Sequence, residues 1–428
     1  MKVVVVESGD TQCLLEIQLE GERVSLEYER VFNRQASEAS LPGFRKGKAP
    51  RSLLEQRLGE AVRQEFLNDL LPKATLEAVR EQKLRMVGFP RIESLDFKAK
   101  AEPLSFKARV ELKPVVELKG SLEGMKLSAP SASVSPEEIE EQIKALRERQ
   151  GVPGAEVERP AAMGDQLSVD FEGRINGELF PGGKAEAYTV VLGRKQLIPG
   201  FEEGLVGAKK GETRQLKVPF PADYPAADVA GKDAEFLVTV LEIREIKLPE
   251  LDDTFAKALG GVENLAELRD AVGKAIAAQK ERMRRGRLQD GAAAQLLEKY
   301  PVKVPAAMLS GELNILMERE VGRLREQGME PSGEEGMKEI AQRLTPMAEQ
   351  RARLSLILET IADKMDIAVT DQEFQDDMAL AAPQLGMSLE QTLSWVRSQP
   401  NRELGIRARL REEKALKYLV EKATLTEI

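Results

Sequence analysis

The chain contains no histidine, and Cys13 is the one cysteine among its 428 residues. Without imidazoles, the chain cannot form a Ser-His-Asp triad, a Cys-His pair or a histidine-ligated zinc site. A single thiol cannot form an internal disulfide or a thiolate metal site, and it suits a reducing cytoplasm best. We therefore expect no bound metal, and any catalysis must proceed without a histidine base.

Long apolar runs are missing as well. The apolar start at residues 1–6 meets Glu7 at once and lacks the longer apolar core of a signal peptide. No segment approaches the ~18 uninterrupted apolar residues of a membrane span. We find neither a phosphate-cradling P-loop nor a dinucleotide fingerprint placed between a strand and a helix. The sequence thus predicts a cytoplasmic protein with no membrane partner, no nucleotide and no other cofactor.

Charge is abundant and mostly balanced. Charged residues make up 32% of the chain, hydrophobic residues 42%, and the formal net charge is −9. This composition is typical of a well-solvated globular protein, and the length predicts two to four domains. The negative balance argues against wholesale nucleic-acid binding, so any contact with RNA would need a local basic patch.

The most distinctive local feature is the loop LPGFRKGKAP at residues 41–50. It places Phe44 among the cations Arg45, Lys46 and Lys48, and its glycines and prolines hold it out of regular structure. A loop tip has no core for a large ring to fill, so docking onto a partner is one interpretation. An ordinary solvated turn is the other, and the residues alone leave both open.

Residues 1–117 predict a first α+β domain. Apolar and polar residues alternate over 15–20 and over 105–112, as they do in half-buried strands. Apolar residues recur at helical spacing on both sides of the basic loop. They are Val24, Tyr28, Val31 and Phe32 before it, and Leu54, Leu58, Val62 and Phe66 after it. The loop at 41–50 is therefore expected to join two helices.

A further helix is predicted to begin after Ser135. Pro136 occupies its first turn, and Glu138 lies three residues after Ser135, which is the pattern of a capping box. The sequence Gly-Val-Pro-Gly at 151–154 ends this helix and indicates a domain boundary.

Residues 155–246 have a different character, with several short alternating segments. A tight hairpin turn is predicted at Asn176-Gly177, because both residues tolerate positive φ. One short helix fits after Pro199. We expect a small, strongly bent antiparallel sheet over one helix.

From Leu248 onward the pattern is helical, with long runs at about 264–300, 305–326, 334–365 and 402–422 and a second capping box at Thr370. Methionines are frequent here. They are Met283, Met308, Met317, Met329, Met337, Met347, Met365, Met378 and Met387. Methionine is flexible and polarisable, which suits surfaces that meet varied apolar partners. The plainer alternative is that each methionine fills a helix core.

Several motifs of the middle region follow one another in a set order. They are VDFEG at 169–173, NGELF at 176–180, LIPGFEEGL at 197–205, Gly211-Glu212, Pro219 with Tyr224, and AEF at 234–236. This series resembles the FKBP-type peptidyl-prolyl isomerase family. The resemblance implies an antiparallel sheet with one helix and cis-trans isomerisation of X-Pro bonds.

The resemblance also implies which residues form the isomerase pocket. They are Phe171, Phe180, Leu197, Ile198, Phe201, Tyr224 and Phe236. Phe201 would lie beneath the proline ring, Ile198 would offer its backbone N–H to a substrate carbonyl, and Tyr224 would supply a hydroxyl. The plainer alternative makes these rings the core of a small β domain. Both can hold for Phe171, Phe201 and Phe236, since the pocket would open into that core.

Prolyl isomerisation suits a chain without histidine. Rotation about the X-Pro bond has a barrier near ~20 kcal/mol and breaks no covalent bond. An apolar, aromatic pocket removes polar solvation from the imide and can hold it twisted, which lowers the barrier without a general base. There is one departure, because Pro181 follows Phe180 where many small members have aspartate. Ligands that rely on that carboxylate should bind poorly, while peptide isomerisation can persist.

The order of the whole chain, with GFRKGKAP at 43–50 ahead of an FKBP-like region and a helical region, resembles the trigger factor family. The resemblance implies a bacterial chaperone that docks beside the exit tunnel of the large ribosomal subunit. The implied docking residues are Gly43, Phe44, Arg45, Lys46, Gly47 and Lys48. Phe44 would bury against a ribosomal protein. Arg45 and Lys46 would pair with its acids or with rRNA phosphate, and Lys48 would add charge.

The resemblance further implies a multidomain α+β fold in four segments. They are an N-terminal α+β ribosome-binding domain at 1–117, a linker strand and helix packed on the C-terminal domain at 118–151, an FKBP-type isomerase domain at 152–247, and an all-α C-terminal chaperone domain with arms at 248–428. The isomerase domain would then be an insertion in a discontinuous C-terminal domain.

Together these features predict an ATP-independent chaperone that docks at the ribosome, binds nascent and unfolded polypeptides and isomerises X-Pro bonds. The family also suggests a homodimer away from the ribosome and a link to cell division and the cell cycle. One alternative is a free-standing FKBP-type folding isomerase without ribosome docking, against which Phe44 among cations argues. Another is a scaffold with an inactive FKBP-like module. The retained rings argue against this scaffold, whereas Pro181, which replaces the aspartate of many small members, is compatible with it.

Overall fold

The structure is a computed structural model that describes the chain apart from a few positions. Those outside the described part are Leu41, Gly43, residues 45–48, Lys100, Glu123, Asp223, Pro225, Ala227, Ser332 and Ile428. The chain divides into two compact units, one made of Met1–Pro130 with Arg284–Ile428 and the other of Ser131–Met283. The first unit thus combines both ends of the chain.

The first unit begins with a four-stranded antiparallel sheet and two long helices. Its elements are β1 (Lys2–Ser8), β2 (Gln12–Leu19), α1 (Gly21–Glu38), α2 (Arg51–Glu81), β3 (Met86–Asp96) and β4 (Leu104–Leu112), followed by a short strand, β5 (Lys126–Ala129). The sheet order is β1-β2-β4-β3. Residues of β4 alternate between buried and half-buried, so one face of the strand contributes Phe106 to the same buried cluster as Phe66 of α2. The strands and helices predicted around the basic loop are confirmed.

The second unit holds a five-stranded antiparallel sheet with one short helix, flanked by longer helices. Its elements are α3 (Pro136–Arg149), β6 (Val152–Glu156), β7 (Gln166–Ile175), β8 (Glu178–Val191), α4 (Phe201–Leu205), β9 (Thr213–Pro219), β10 (Asp233–Lys247), α5 (Asp253–Leu259) and α6 (Leu265–Lys299), which continues into the first unit. Strand β10 is central, with β7 and then β8 on one side and β6 and β9 on the other. The predicted sheet over one helix is confirmed.

The turn between β7 and β8 is the predicted hairpin. Ile175 pairs with Glu178 across it. Asn176 and Gly177 have φ values of 52° and 87°. Positive φ at both central residues matches the right-handed twist of the flanking strands, which explains the choice of Asn-Gly.

Helix α3 starts with the predicted capping box. The Glu138 carboxylate accepts the Ser135 N–H at 2.9 Å, and the Ser135 hydroxyl accepts the Glu138 N–H at 3.3 Å. Ile143 of α3 packs in one buried cluster with Phe255 of α5 and Leu268 of α6. The predicted boundary at 151–154 falls partly inside the sheet, because β6 begins at Val152.

The first unit resumes with helices and ends in a strand. These elements are α7 (Ala306–Glu326), α8 (Gly333–Lys364), α9 (Asp371–Ala381), α10 (Leu389–Arg397), α11 (Pro400–Glu421) and β11 (Thr424–Glu427). The predicted long helices and the Thr370 capping box are confirmed. Helix α10 was not predicted. Strand β11 pairs in parallel with β5, which adds a small sheet to a region expected to be all-α. Of the helices in the described part of the chain, none has the length and apolar content of a membrane span.

Ion pairs join the N-terminal sheet of the first unit to helix α8. Arg85, just before β3, and Lys113, just after β4, both donate to the Glu359 carboxylate, at 2.7 and 2.8 Å. Because Lys113 and Glu359 are half-buried, this pair is less screened by solvent than a surface pair.

Candidate functional site

Three rings from three elements meet at the centre of the second unit. Phe171 comes from β7, Phe201 from the start of α4 and Phe236 from β10. Their centroids lie 5.8 Å apart for Phe171–Phe201, 6.0 Å for Phe171–Phe236 and 5.2 Å for Phe201–Phe236, all edge to face. Edge-to-face pairs are worth about 0.5–1.5 kcal/mol each beyond their burial. The triangle of rings is therefore a rigid apolar base.

A chain of further rings leads from this base towards solvent. Phe180 of β8 contacts Phe236 at 6.0 Å and Phe220 at 5.7 Å between centroids. Phe220 contacts Tyr224 at 4.8 Å. Phe220 is buried, whereas Tyr224 is 38% exposed. The rings thus line a continuous path from the buried base to a phenol at the surface.

Two rings of this cluster were not predicted as site residues. Tyr188 of β8 contacts Phe171 at 5.6 Å and is exposed, and Phe220 links Phe180 to Tyr224. The partner of Tyr188 across the sheet is Val169 of β7. For Phe220 the signal was its position between Pro219 and Pro221, four residues before Tyr224.

Gly173 makes room for the rings. A Cβ atom on this residue would lie 2.5 Å from Cε1 of Phe236 and 3.0 Å from Cε1 of Phe180. Such distances require a ring to move. The close approach of these two rings therefore explains why the VDFEG motif has glycine at position 173.

Leu197 and Ile198 complete the predicted set. Both are half-buried and pack against the cluster that contains Phe201 and Phe236. The Ile198 carbonyl accepts the Phe201 N–H at 3.1 Å, as α4 begins after Gly200 with φ 93°. The structure thus brings all seven predicted pocket residues around one cluster.

Pro181 lies exposed on β8 next to Phe180 and offers no carboxylate. Asp170 of β7 accepts the Ala187 N–H at 2.7 Å and so fixes the backbone of β8 beside Tyr188. An apolar cleft with a few polar groups at its edge is the usual form of a small-ligand site. Here the rings form an apolar surface, and the described residues of the cluster include no general base.

The basic loop lies between α1 and α2. Phe44 is 42% exposed. The other predicted docking residues, Gly43, Arg45, Lys46, Gly47 and Lys48, lie outside the described residues.

The helices on either side of the loop are tied together. Arg51, at the first turn of α2, pairs with Glu29 of α1, and its guanidinium lies 4.8 Å from the ring centroid of Phe32. The hydrogen bonds that Arg51 donates to the carboxylates of Glu29 and Glu55 raise the pKa of its guanidinium above its usual range, and the one to Glu29 has the larger effect. Arg34 of α1 pairs with Glu65 of α2 in the same way. The base of the loop is thus held in one position.

The methionines of the helical regions divide between core and surface. Met378 is buried and fills the core, in line with the plainer alternative. Others are more than one-third exposed. They are Met283, Met329, Met337, Met347 and Met387. Trp395, 43% exposed, lies 3.7 Å from the guanidinium of Arg402, measured from the ring centroid. The helices therefore carry flexible apolar groups that face solvent.

Comparison with known proteins matches every region of the chain. A family model described as bacterial trigger factor protein matches residues 1–146, one for the C-terminus of that protein matches 264–421, and one for FKBP-type peptidyl-prolyl cis-trans isomerase matches 157–241. The trigger factor of Syntrophomonas wolfei is 32% identical over 98% of this chain and 96% of its own length. That of Carboxydothermus hydrogenoformans is 36% identical over 89% of this chain and 90% of its own. A solved trigger factor structure aligns over 98% of this chain and 99% of its own, at 22% identity and a TM-score of 0.46.

Proposed function

The chain belongs to the trigger factor family, and we propose that it is an ATP-independent chaperone that docks at the ribosome and isomerises X-Pro bonds. In this scheme residues 1–117 dock, 118–151 link, 152–247 isomerise and 248–428 hold unfolded chains. The observation that carries the isomerase part is the ring cluster built on Phe171, Phe201 and Phe236, with Gly173 beneath the rings.

The proposed isomerase mechanism needs only desolvation and shape. The proline ring of a substrate packs over Phe201, and the apolar walls remove water from the imide. The planar imide loses solvation that stabilises its charge separation, while the twisted imide, which is less polar, loses less. The Ile198 N–H and the Tyr224 hydroxyl hold neighbouring carbonyls of the peptide, so that rotation occurs about one bond. The partial exposure of Tyr224 supports this role, because a bound peptide can reach it.

The proposed docking element is the loop at 41–50. Phe44 buries against a ribosomal protein, and Arg45 and Lys46 pair with its acids or with rRNA phosphate, while Lys48 adds charge. The exposure of Phe44 and the clamped base formed by Arg51 support this proposal.

The proposed chaperone action relies on weak contacts at many points. The exposed methionines and Trp395 support it, since flexible apolar side chains adapt to varied partners. Docking at the exit tunnel raises the local concentration of nascent chain, which compensates for low affinity. A cytoplasmic location and a homodimer away from the ribosome belong to the same proposal.

Two assays of the full-length chain without nucleotide test this function. Refolding of a protein limited by prolyl isomerisation should accelerate, and the chain should pellet with vacant ribosomes. A chain that leaves the refolding rate unchanged is not an isomerase. A chain that accelerates refolding and stays in the supernatant is the free-standing isomerase that the sequence left as an alternative.

A further inference from the structure

A buried carboxylate lies directly beside the proposed pocket. Glu202, the second residue of α4, is only 3% exposed. Its Oε2 accepts the N–H groups of Gly193 at 2.8 Å and Lys195 at 3.0 Å. Its Oε1 accepts those of Gln196 at 2.8 Å and Leu197 at 3.3 Å. One side chain thus gathers four backbone donors from one loop.

The charge of Glu202 is compensated by the backbone. A buried carboxylate is costly unless it is paired or hydrogen-bonded. Among the described residues no lysine or arginine pairs with Glu202. The converging backbone N–H groups stabilise its negative charge instead, as in an anion-binding nest. The loop in turn depends on the carboxylate. Gly193 and Lys195 both have positive φ, 93° and 52°, which is a strained conformation for a lysine.

This loop forms the side of the pocket. It ends at Leu197 and Ile198, which pack against the ring cluster. Phe201, the ring beneath the proposed proline site, directly precedes Glu202 in α4. Neighbouring residues of one short helix therefore supply the pocket floor and hold the loop at its side.

We propose that Glu202 is a positioning residue for isomerisation. It holds Leu197 and the Ile198 N–H against the ring cluster without touching the peptide. This inference rests on the proposed isomerase function and adds to it a residue that acts through the loop.

The direct test is Glu202→Gln in the full-length chain. Glutamine keeps the shape of the side chain and one acceptor oxygen. Its NH₂ group, however, faces two backbone N–H groups that donate to the second oxygen in the wild type, and it cannot accept from them. Hydrogen exchange, followed by mass spectrometry, should accelerate in a peptide covering 193–198 and stay unchanged in β7 and β10. The kcat/KM for a proline peptide should fall roughly 10- to 100-fold, the cost of a small misplacement of a binding group.

Asp165→Asn is the matched control. Asp165 is also 3% exposed and lies in the same unit, but its side chain is held by Arg159, at 2.5 and 2.9 Å, and by the Ala162 N–H. The main-chain carbonyl of Asp165 accepts the Leu192 N–H at 2.9 Å, but its carboxylate accepts no N–H from 193–198, so the variant changes a buried carboxylate that does not hold that loop. It should keep wild-type exchange at 193–198 and wild-type kcat/KM at temperatures where it is folded.

The outcomes separate the two proposals. An active wild type with unchanged exchange and kcat/KM in Glu202→Gln overturns the role of Glu202 alone. Equal losses of activity in Glu202→Gln and Asp165→Asn also overturn it, because they indicate general destabilisation. An inactive wild type refutes the isomerase function itself and the positioning role with it.

Discussion

The rings of Phe201 and Phe236 meet edge to face, with centroids 5.2 Å apart and planes at 84°. Both side chains are nearly fully buried, at 2% and 5% exposure. This contact joins α4 to β10, so the floor of the proposed pocket is also part of the domain core. Truncating either ring would cost about 3–5 kcal/mol of stability. Changes that leave the core intact therefore test the site more cleanly.

Tyr224→Phe is such a change. It removes the proposed peptide hydroxyl and keeps the ring contact with Phe220. A hydrogen bond contributes about 0.5–1.5 kcal/mol net, so kcat/KM for a proline peptide should fall about 2- to 10-fold with no change in unfolding midpoint. Tyr418→Phe, which removes a hydroxyl from α11, should keep wild-type kcat/KM. Wild-type activity in Tyr224→Phe would remove Tyr224 from the mechanism.

Gly173→Ala tests the space beneath the rings. The added methyl meets Phe236 and Phe180, so we expect a loss of about 1–3 kcal/mol in the free energy of unfolding of this domain, together with lower isomerase activity. Gly59→Ala is the control, because a Cβ atom added to Gly59 in α2 would meet no atom within 4 Å beyond its chain neighbours and the backbone of its own helix. It should stabilise its helix by about 0.5–1 kcal/mol. The measurement is denaturant unfolding of both variants. A Gly173→Ala variant with the wild-type free energy of unfolding would contradict the packing described.

The elements that sequence reasoning predicted are those encoded locally. Asn176-Gly177 specifies its turn through φ, Ser135 and Glu138 specify a helix start, and 105–112 alternates with the strand period. The rings of the site came from the family resemblance rather than from spacing. The structure places them together, and their roles in isomerisation stay predictions.

The elements that were missed depend on distant partners. β11 has four residues, too few to show a period, and it pairs Thr424 with Lys126 of β5, the expected linker strand, from far apart in the chain. Phe220 joins the ring path only because β9 and β10 bring it beside Phe236. No local pattern carries such information.

Glu412 of α11 predicts a pH-dependent contribution to stability. Burial raises the pKa of its carboxyl, and the Glu312 and Glu359 carboxylates act in the same direction, against the Ser355 hydrogen bond and the Lys113 charge. Because the folded pKa is raised, this group favours folding below its unfolded pKa, and the contribution is lost as pH rises through the folded pKa. Glu412→Gln should therefore raise the unfolding midpoint at neutral pH, and the gain should shrink as the solution is acidified.

The measurement is thermal unfolding of the wild type and of Glu412→Gln, followed by circular dichroism over a series of pH values. Glu413→Gln is the control for net charge, since Glu413 is exposed and pairs with Arg409 at 2.6 Å. It should show no gain at neutral pH. A Glu412→Gln variant that is less stable than wild type at neutral pH, or whose gain is the same at every pH, would contradict the prediction.

The central claim is that the loop at 41–50 tethers this chaperone to the ribosome. The direct measurement is co-sedimentation with vacant ribosomes at physiological salt. The comparison is between wild type and a variant with Phe44→Ala, Arg45→Ala and Lys46→Ala. A control with Leu404→Ala, Lys417→Ala and Lys422→Ala removes one apolar residue and two cations from the end of the chain instead.

We predict that the loop variant stays in the supernatant and keeps wild-type isomerase activity, because the ring cluster belongs to the other unit. The control should pellet like wild type. A loop variant that pellets with ribosomes as wild type does would contradict the account.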